Sequence, residues 1–334
     1  MHVGKSYKAA EFFAWSGRCM LVLLLVSLVP VILYQVVGFK GATLPWSVVL
    51  LLGTAVALVS GFKTSQTYGR SVDAQQSWAA IWAGSRIWGM LCCNFLPADV
   101  ARRLILRHLA WLTALRFALR VPKPWETVNR GANAAYRKRY RVLESETRIE
   151  DELARSAPAG EATDMLAASN PAFRALQLQS TELKSLLDAG TLSNSAYLEM
   201  LKTLRDMNDQ QARSERLKNC PYPRQYAVVS ALFVTIFCVL LPFGMIGPFA
   251  ELDAAIDGPL KGYAVWLVVP FTIVIGWMFT SLDQVGDSTA NPFEGGANDV
   301  PITMISRRIE IELREMLGDK DLPPPIEATN GIVT

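Results

Sequence analysis

The sequence predicts an all-α membrane protein in which four transmembrane helices carry a helical cytosolic body. Hydrophobic residues make up 51% of the 334 residues, and no β-rich segment interrupts the helical patterns. Four runs contain no charged residue: 19–39, 41–62, 225–250 and 262–282. Each run has 21 or more residues, whereas roughly 20 are enough to cross the hydrocarbon core of a bilayer.

The charges around these runs predict the orientation of the chain. The first run is too long for the apolar core of a signal peptide, and no clear cleavage site follows it. An even number of spans puts both termini on one side of the membrane. Residues 1–18 contain His2, Lys5, Lys8 and Arg18, whereas the loop 251–261 is mainly acidic. Because basic residues favour the cytoplasmic side, we expect both termini in the cytoplasm and the protein in the cytoplasmic membrane.

Residues 63–224 are expected to form a cytosolic body of helices. Apolar residues recur there at helical spacing, and prolines separate the segments. The mixed charges of residues 137–155 are typical of a solvated helix. After the fourth run, residues 283–322 contain an amphipathic helix that should dock on the body, and residues 323–334 are expected to be disordered. The helices predicted within the body are 67–95, 98–120, 171–189 and 193–217.

The sequence contains no catalytic constellation, so an enzyme is the least favoured class. It has no P-loop, nucleophile elbow, zinc-protease or EF-hand motif, and its five cysteines form no CxxC pair. His108 lies on an apolar helix stripe, where a packed core residue is expected. The net charge of +3 is explained by membrane orientation and does not indicate nucleic-acid binding. The four runs also lack the ionisable residues that proton-coupled carriers need, which leaves passive conduction or a structural membrane role.

One face of the second run is a candidate pore lining. Its stripe consists of Thr54, Leu58 and Phe62, at a spacing of four. Four helices of one subunit are too few to enclose a water-filled path, so a pore would lie on the symmetry axis of a ring of subunits. The small residues Gly53, Ala57 and Gly61 leave a second interpretation open, in which this region only packs against another helix.

Four stretches, in order along the chain, resemble the bestrophin family. They are "GFKTSQTYGRSVDAQQSWAAIWAGSR", "RHLAWLTALRFALR", "PYPRQYAVVSALFVTIFCVLLPFG" and "NPFEGGANDVP". The resemblance extends over roughly residues 6–318. It implies a homopentameric ion channel in which each subunit contributes four transmembrane helices and a helical cytosolic part. Animal members of the family conduct chloride and other anions under calcium control, and some bacterial members conduct monovalent cations.

The resemblance also implies roles for particular residues. Bestrophins have three neck positions at spacing four on the second span, and these match Thr54, Leu58 and Phe62. In a fivefold ring, Leu58 and Phe62 would form an apolar constriction that gates by dewetting, whereas the Thr54 hydroxyl could hold water. A second, cytosolic aperture is expected just before the proline that opens the third span, which is the position of Tyr222. Packing of Tyr222 against the flanking prolines is an equal alternative.

Calcium binding is not expected, although the resemblance marks a segment to examine. Animal bestrophins bind Ca²⁺ with a run of acidic residues after an Asn-Pro-Phe sequence. Here that segment starts at Asn291 and keeps only Glu294 and Asp299, whereas Ca²⁺ prefers six to eight oxygen ligands. We therefore expect no cofactor, and we expect both acids to cap helices or pair with arginines. A Ca²⁺ site formed by Asn291, Glu294 and Asp299 with backbone carbonyls is the weaker alternative.

The leading hypothesis from the sequence is a passive, pentameric anion channel. A neck without charges does not select for sign, so Lys63, Arg70 and Arg224 are candidates for raising the local anion concentration. Each of them is equally explained as a positive-inside anchor or a salt-bridge partner. Two alternatives remain open: a monovalent cation channel of the same fold, and a non-conducting membrane scaffold or sensor. The expected partners are other copies of the chain, membrane lipid and permeant inorganic ions.

Overall fold

The computed structural model describes residues 1–4, 9–129, 131–258 and 261–334, without the side chains of 9–14, 132, 135 and 136. Lys5 and Lys8, used above for orientation, lie outside the described residues. The described part of the chain is helical and contains isolated β-bridges but no strand. Its helices are α1 (Ala9–Gln35), α2 (Trp46–Phe95), α3 (Ala98–Arg120), α4 (Gly131–Arg137), α5 (Ile149–Ser156), α6 (Glu161–Ala167), α7 (Pro171–Asp188), α8 (Asn194–Asn219), α9 (Arg224–Ala255), α10 (Val268–Thr289) and α11 (Ile302–Met316).

Helix α2 connects the two halves of the molecule. It has 50 residues, which corresponds to a length of about 75 Å at 1.5 Å per residue. Its first part is apolar, and its second part, from Lys63 onwards, is polar and runs on without a break. Val49 and Val56 belong to the apolar core of the membrane half, whereas Trp78 and Trp88 belong to the core of the extramembrane half. A displacement of α2 would therefore change the packing of both cores.

Four helices are long and apolar enough to cross a membrane, which confirms the four runs found in the sequence. They are Trp15–Gln35, Trp46–Phe95, Arg224–Ala255 and Ala264–Thr289. Glycines allow them to pack closely. A Cβ atom at Gly244 would lie 2.6 Å from Val49, and one at Gly276 would lie 2.6 Å from Leu23, so α9 approaches α2 and α10 approaches α1 with no room for a side chain.

The extramembrane body is built around α3, whose bounds match the predicted segment 98–120. Trp111 on this helix is fully buried, and its indole nitrogen donates to Gln211 of α8 over 2.8 Å. His108 is also fully buried, between Trp88 and Trp111, with its Nε2 2.9 Å from the Ser85 hydroxyl. Burial lowers the pKa of His108 to about 3. The histidine is therefore a neutral core residue, as the sequence pattern predicts.

The predicted helix over residues 137–155 is wrong. The structure instead has the end of α4, a short 3₁₀ turn at Leu143–Ser145, and α5. Tyr140 and Val142 lie among the charged residues of this stretch and are buried. The segment is therefore not a solvated helix. Tyr140 donates from its hydroxyl to the carbonyl of Gly295 over 3.0 Å, which fixes the irregular backbone.

The predicted disorder of residues 323–334 is also wrong for the last part of that segment. Ile332 is buried against Tyr140 and Val142 and forms an antiparallel bridge with His2. The amide of Met304 donates to the carbonyl of Thr334 over 2.9 Å. The apolar sequence 331–333 is ordered because the irregular segment before α5 offers it an apolar surface.

Candidate ion pathway

The stripe of α2 is exposed in the isolated subunit. Leu58 is 62% exposed and Phe62 is 63% exposed, and Thr54 is exposed on the same side. The opposite side of α2 carries Val49 and Val56, which are almost completely buried against α9 and α10. The Thr54 hydroxyl donates to the carbonyl of Leu51 over 2.7 Å, so only its lone pairs are available to a passing ion or water. The structure thus leaves one side of an otherwise packed helix open.

The small residues of α2 divide between the packed side and the open side. A Cβ atom at Gly53 would lie 2.9 Å from the ring of Phe237 on α9, so Gly53 belongs to a helix-packing contact. A Cβ atom at Gly61 would meet no atom within 4 Å, and Ala57 is exposed. The helix-packing interpretation therefore accounts for Gly53 within one subunit and leaves Ala57 and Gly61 beside the open stripe.

Lys63 follows the stripe directly and is buried. Its side chain is 2% exposed, and its Nζ lies 2.8 Å from Asp283 Oδ1 and 2.7 Å from Asp287 Oδ1, both on α10. Ser230 on α9 donates to the same oxygen of Asp283 over 3.0 Å. These contacts join α2, α9 and α10 just below Phe62. The Lys63 charge is compensated, which favours the salt-bridge alternative over a role in attracting anions.

Arg70 fastens α2 to the ends of α10 and α8. Its Nε donates to the carbonyl of Ala290 over 2.8 Å, at the end of α10. Its Nη2 donates to the carbonyls of Leu217 and Cys220 over 2.8 and 2.9 Å, at the end of α8. A guanidinium group can make all three bonds because its donors lie in a fixed plane. Arg70 therefore positions backbone on both sides of α2.

Tyr222 lies in the short connection between α8 and α9, two residues after Cys220, whose carbonyl accepts from Arg70. Its side chain is half-buried, and burial raises the pKa of Tyr222 while the nearby Lys63 ammonium opposes this shift. Lys63 directly follows Phe62 on α2, and its charge acts on Tyr222. A constriction at Tyr222 would therefore lie next to the neck. Arg224 is exposed at the start of α9, and its Nη1 donates to the carbonyl of Trp125 over 3.4 Å.

The sequence interpretation missed two arginines beside the path. An open cleft of about 450 Å³ lies between α2 and α8, and it includes Asp73 and Gln76 of α2 and the exposed Arg213 and Arg216 of α8. Asp73 and Gln76 continue the open side of α2 in steps of three and four residues from Phe62. Arg213 and Arg216 are three residues apart on a helix whose Leu217 is buried, so the sequence places both on one exposed face. The sequence interpretation used the arginines of this region only as evidence for the orientation of the chain in the membrane.

Glu294 is used to hold a loop together. Its carboxylate accepts from the amide of Thr127 over 2.8 Å, from the amide of Val128 over 3.3 Å and from the Thr127 hydroxyl over 3.2 Å. Burial raises the pKa of Glu294 to about 8, and the negative charge of Asp299 adds to the shift.

Asp299 is fully enclosed next to a cation. Its Oδ2 accepts from the amides of Gly295 and Gly296 over 2.7 and 2.9 Å and lies 3.8 Å from Nη1 of Arg120. Asn291 is buried nearby in the chain. Both acids therefore bind loop amides and do not cap a helix, and Asp299 also pairs with Arg120. Within the described residues no group of three His, Cys, Asp or Glu side chains is arranged to hold a metal ion, and a carboxylate beside the Arg120 guanidinium group is a poor ligand for Ca²⁺.

Replacing Glu294 with glutamine should reduce the pH dependence of stability. The pKa of Glu294 is raised from 4.5 to about 8, so the folded state keeps a proton that the unfolded state releases between those values. Stability conferred by the wild-type residue should therefore fall as the pH rises through this window. Thermal unfolding midpoints of the purified protein, measured from acidic to mildly alkaline pH, should decline less steeply with rising pH in Glu294→Gln than in wild type.

The control for this prediction is Glu150→Gln, because the Glu150 side chain is 51% exposed. Parallel curves for wild type and Glu294→Gln would contradict the prediction.

Comparison with known proteins identifies the family. The model of the bacterial/fungal bestrophin family matches residues 15–315. The voltage-dependent anion channel-forming protein YneE of Escherichia coli (strain K12) is 27% identical over 295 residues, covering 88% of this chain and 83% of that protein. The protein of the same name from Salmonella typhi is 25% identical over 323 residues, covering 93% and 92%.

A solved structure agrees with the family match. The crystal structure of a bacterial bestrophin homologue from Klebsiella pneumoniae superposes with a TM-score of 0.75 at 27% identity, covering 90% of this chain and 98% of that chain. The order of the helices and the four quoted motifs point to the same group of proteins, which confirms the family suggested by the sequence. This chain belongs to the bacterial/fungal bestrophin family.

Proposed function

We propose that this chain assembles into a homopentameric anion channel of the cytoplasmic membrane, with both termini in the cytoplasm. One α2 helix from each subunit lines the pore on the fivefold axis, and lipid surrounds the outer helices. The two relatives from Escherichia coli and Salmonella typhi are named voltage-dependent anion channel-forming proteins, which supports the same activity here. The conducted species is a small inorganic anion such as chloride, and its passage is passive.

The exposed stripe of α2 is the observation that supports this proposal most directly. Leu58 and Phe62 are each more than 60% exposed on a helix whose other side is packed into the membrane core. The same side of α2 continues into the cleft at Asp73, where the lining becomes charged and open. Lipid alone would accept the apolar part of this surface, but it does not explain why the surface leads without interruption into a charged cleft.

The neck controls conduction in the proposal. Five copies of Leu58 and of Phe62 would form two apolar collars, and water leaves such a constriction when its radius becomes small. A conformational change that rotates or separates the α2 helices would rewet the neck and allow ions to pass. Thr54, one step farther along the stripe, supplies oxygen lone pairs and does not contribute to the apolar seal.

Charge outside the neck gives the preference for anions. Arg213 and Arg216 face the cleft against a single carboxylate, Asp73, and Arg70 lies beside Arg216. In a ring this arrangement would repeat around the axis and concentrate anions at the cytosolic approach. Lys63 does not contribute to this positive potential, because Asp283 and Asp287 neutralise its charge. Arg224 is exposed and adds to the same field.

The first test is the reversal potential of the purified protein in a planar bilayer under a KCl gradient. We expect reversal close to the chloride equilibrium potential. Reversal close to the potassium potential would reject anion selectivity and favour a cation channel of the same fold. A protein that is pentameric by native mass but carries no current, even after Phe62→Ala, would favour the scaffold alternative.

A further inference from the structure

A second cavity lies inside the cytosolic body, away from the ion pathway. Its volume is about 200 Å³, below the roughly 300–1,000 Å³ of typical pockets for drug-sized ligands. Helices α3, α5 and α11 surround it, and the chain after α11 passes over it at Pro323. Leu109 and Leu112 line its apolar side and are almost completely buried.

Arginines dominate the polar lining of this cavity. Four arginines line it against two glutamates, Glu152 and Glu310. The arginines are Arg116, Arg155, Arg307 and Arg314. They come from three different helices, so their convergence is a property of the fold and not of one charged segment. Two further carboxylates, Glu144 and Asp319, pair with Arg116 and Arg314 from outside the lining. The cavity therefore offers convergent guanidinium donors and not a large net charge, and such donors suit a small oxyanion.

The existing ion pairs do not satisfy these arginines completely. Glu310 is shared, at 3.3 Å from Arg307 Nε and 3.2 Å from Arg314 Nε. Arg116 is 6% exposed, and its Nη1 donates to Glu144, a carboxylate behind the cavity wall, over 2.9 Å. Its Nε–H is buried and has no acceptor among the described residues. Burial lowers the pKa of Arg116, and the Glu144 carboxylate opposes this shift. A buried donor without an acceptor is costly unless another group, such as an anion oxygen, accepts from it.

We propose that this cavity binds a phosphate-sized oxyanion. Guanidinium groups bind phosphate oxygens through pairs of parallel hydrogen bonds, which makes arginine well suited to such a ligand. The hydroxyl groups of Thr303 and Ser306 also line the cavity, but they donate to Glu144 and to the Ile302 carbonyl. The donors available to a ligand are therefore those of the arginines. The cavity shares no residue with the proposed neck, aperture or cleft. Binding can therefore be tested whether or not the protein conducts.

The chain after α11 links the cavity to the C-terminal segment. Arg307 Nη1 lies 3.4 Å from the carbonyl of Pro324, and Pro323 is part of the lining. An anion that binds to Arg307 would therefore also order the segment that covers the cavity. This segment leads directly to residues 329–334, which pack on the body.

The test is titration of the full-length protein in detergent with inorganic phosphate, at constant ionic strength, by isothermal calorimetry and thermal unfolding. We expect saturable binding of phosphate and sulfate and no comparable effect of chloride. Arg307→Met should weaken phosphate affinity about tenfold or more, the usual effect of losing a charge-assisted hydrogen bond. The matched control is Arg308→Met, because Arg308 stacks on Trp82 at 5.8 Å and does not line the cavity.

A second variant protects the test from a folding defect. Arg155 is 69% exposed on α5 and pairs with Glu152 of the same helix, so Arg155→Met should fold normally. This variant should also bind phosphate more weakly than Arg308→Met. Wild-type protein that gives no saturable phosphate binding, or Arg307→Met and Arg155→Met proteins that bind as tightly as Arg308→Met, would overturn the proposal.

Discussion

Phe62→Ala should raise the conductance of the reconstituted channel severalfold and leave its reversal potential unchanged. Phe62 is 63% exposed at the end of the stripe next to Lys63 and contributes an apolar ring to the proposed constriction. Alanine in five subunits would widen the neck and allow water to remain in it, which lowers the barrier to ions. The selectivity should persist because the neck carries no charge and the arginines of the cleft are untouched. Single-channel recording in symmetric chloride, followed by a gradient, measures both quantities.

A matched pair of leucines separates pore lining from general effects of shortening an exposed side chain. Leu58→Ala should also raise conductance, because Leu58 lies one helical turn from Phe62 on the stripe. Leu25→Ala is the control: Leu25 is 57% exposed on α1, close to the 62% of Leu58, but it is not part of α2. Equal conductances for wild type, Phe62→Ala and Leu58→Ala would place the stripe against lipid or another subunit and not against the pore.

Much of the fold could be predicted from the sequence because its signals are local. The spans follow from uncharged runs, and α3 follows from an apolar stripe bounded by Pro97 and the prolines after Val121. The stripe Thr54, Leu58 and Phe62 follows from the geometry of one helix. Each of these features depends on residues within a few turns of one another, so periodicity is sufficient to find them.

The errors came from contacts between distant parts of the chain. Residues 137–155 are rich in charge and therefore suggest a solvated helix. The residues that bury Tyr140 lie far away in the sequence, so a local pattern does not reveal them. Ile332 is nearly 200 residues away from the surface that buries it. The partners of Lys63 lie on α10, 220 residues along the chain, so the sequence could not decide between a free cation and a salt bridge. Charged residues are therefore the part of this site that most needs a structure.

Lys63→Met should be the most destabilising of the substitutions considered for the pathway. Lys63 is 2% exposed, and its partner Asp283 is 12% exposed. Removing one partner of a buried ion pair leaves an uncompensated charge, which typically costs roughly 3–5 kcal/mol of stability. Asp287 is 43% exposed and remains accessible to water, so most of the loss should arise at Asp283. Thermal unfolding of the purified variant should therefore begin at a markedly lower temperature than in wild type.

The identity of the damaged contact can be tested with one control and one compensating change. Lys261→Met removes a lysine whose side chain is 56% exposed and whose partner Asp257 is 94% exposed; such a surface pair contributes about 1 kcal/mol or less. Asp283→Asn in the Lys63→Met background removes the stranded charge, keeps an acceptor for Ser230, and should restore part of the stability. If Lys63→Met and Lys261→Met unfold at the same temperature, the contact between α2 and α10 does not hold the neck. If the double variant is no more stable than Lys63→Met, the loss comes from the packing of the lysine chain against Gly286 and not from its charge.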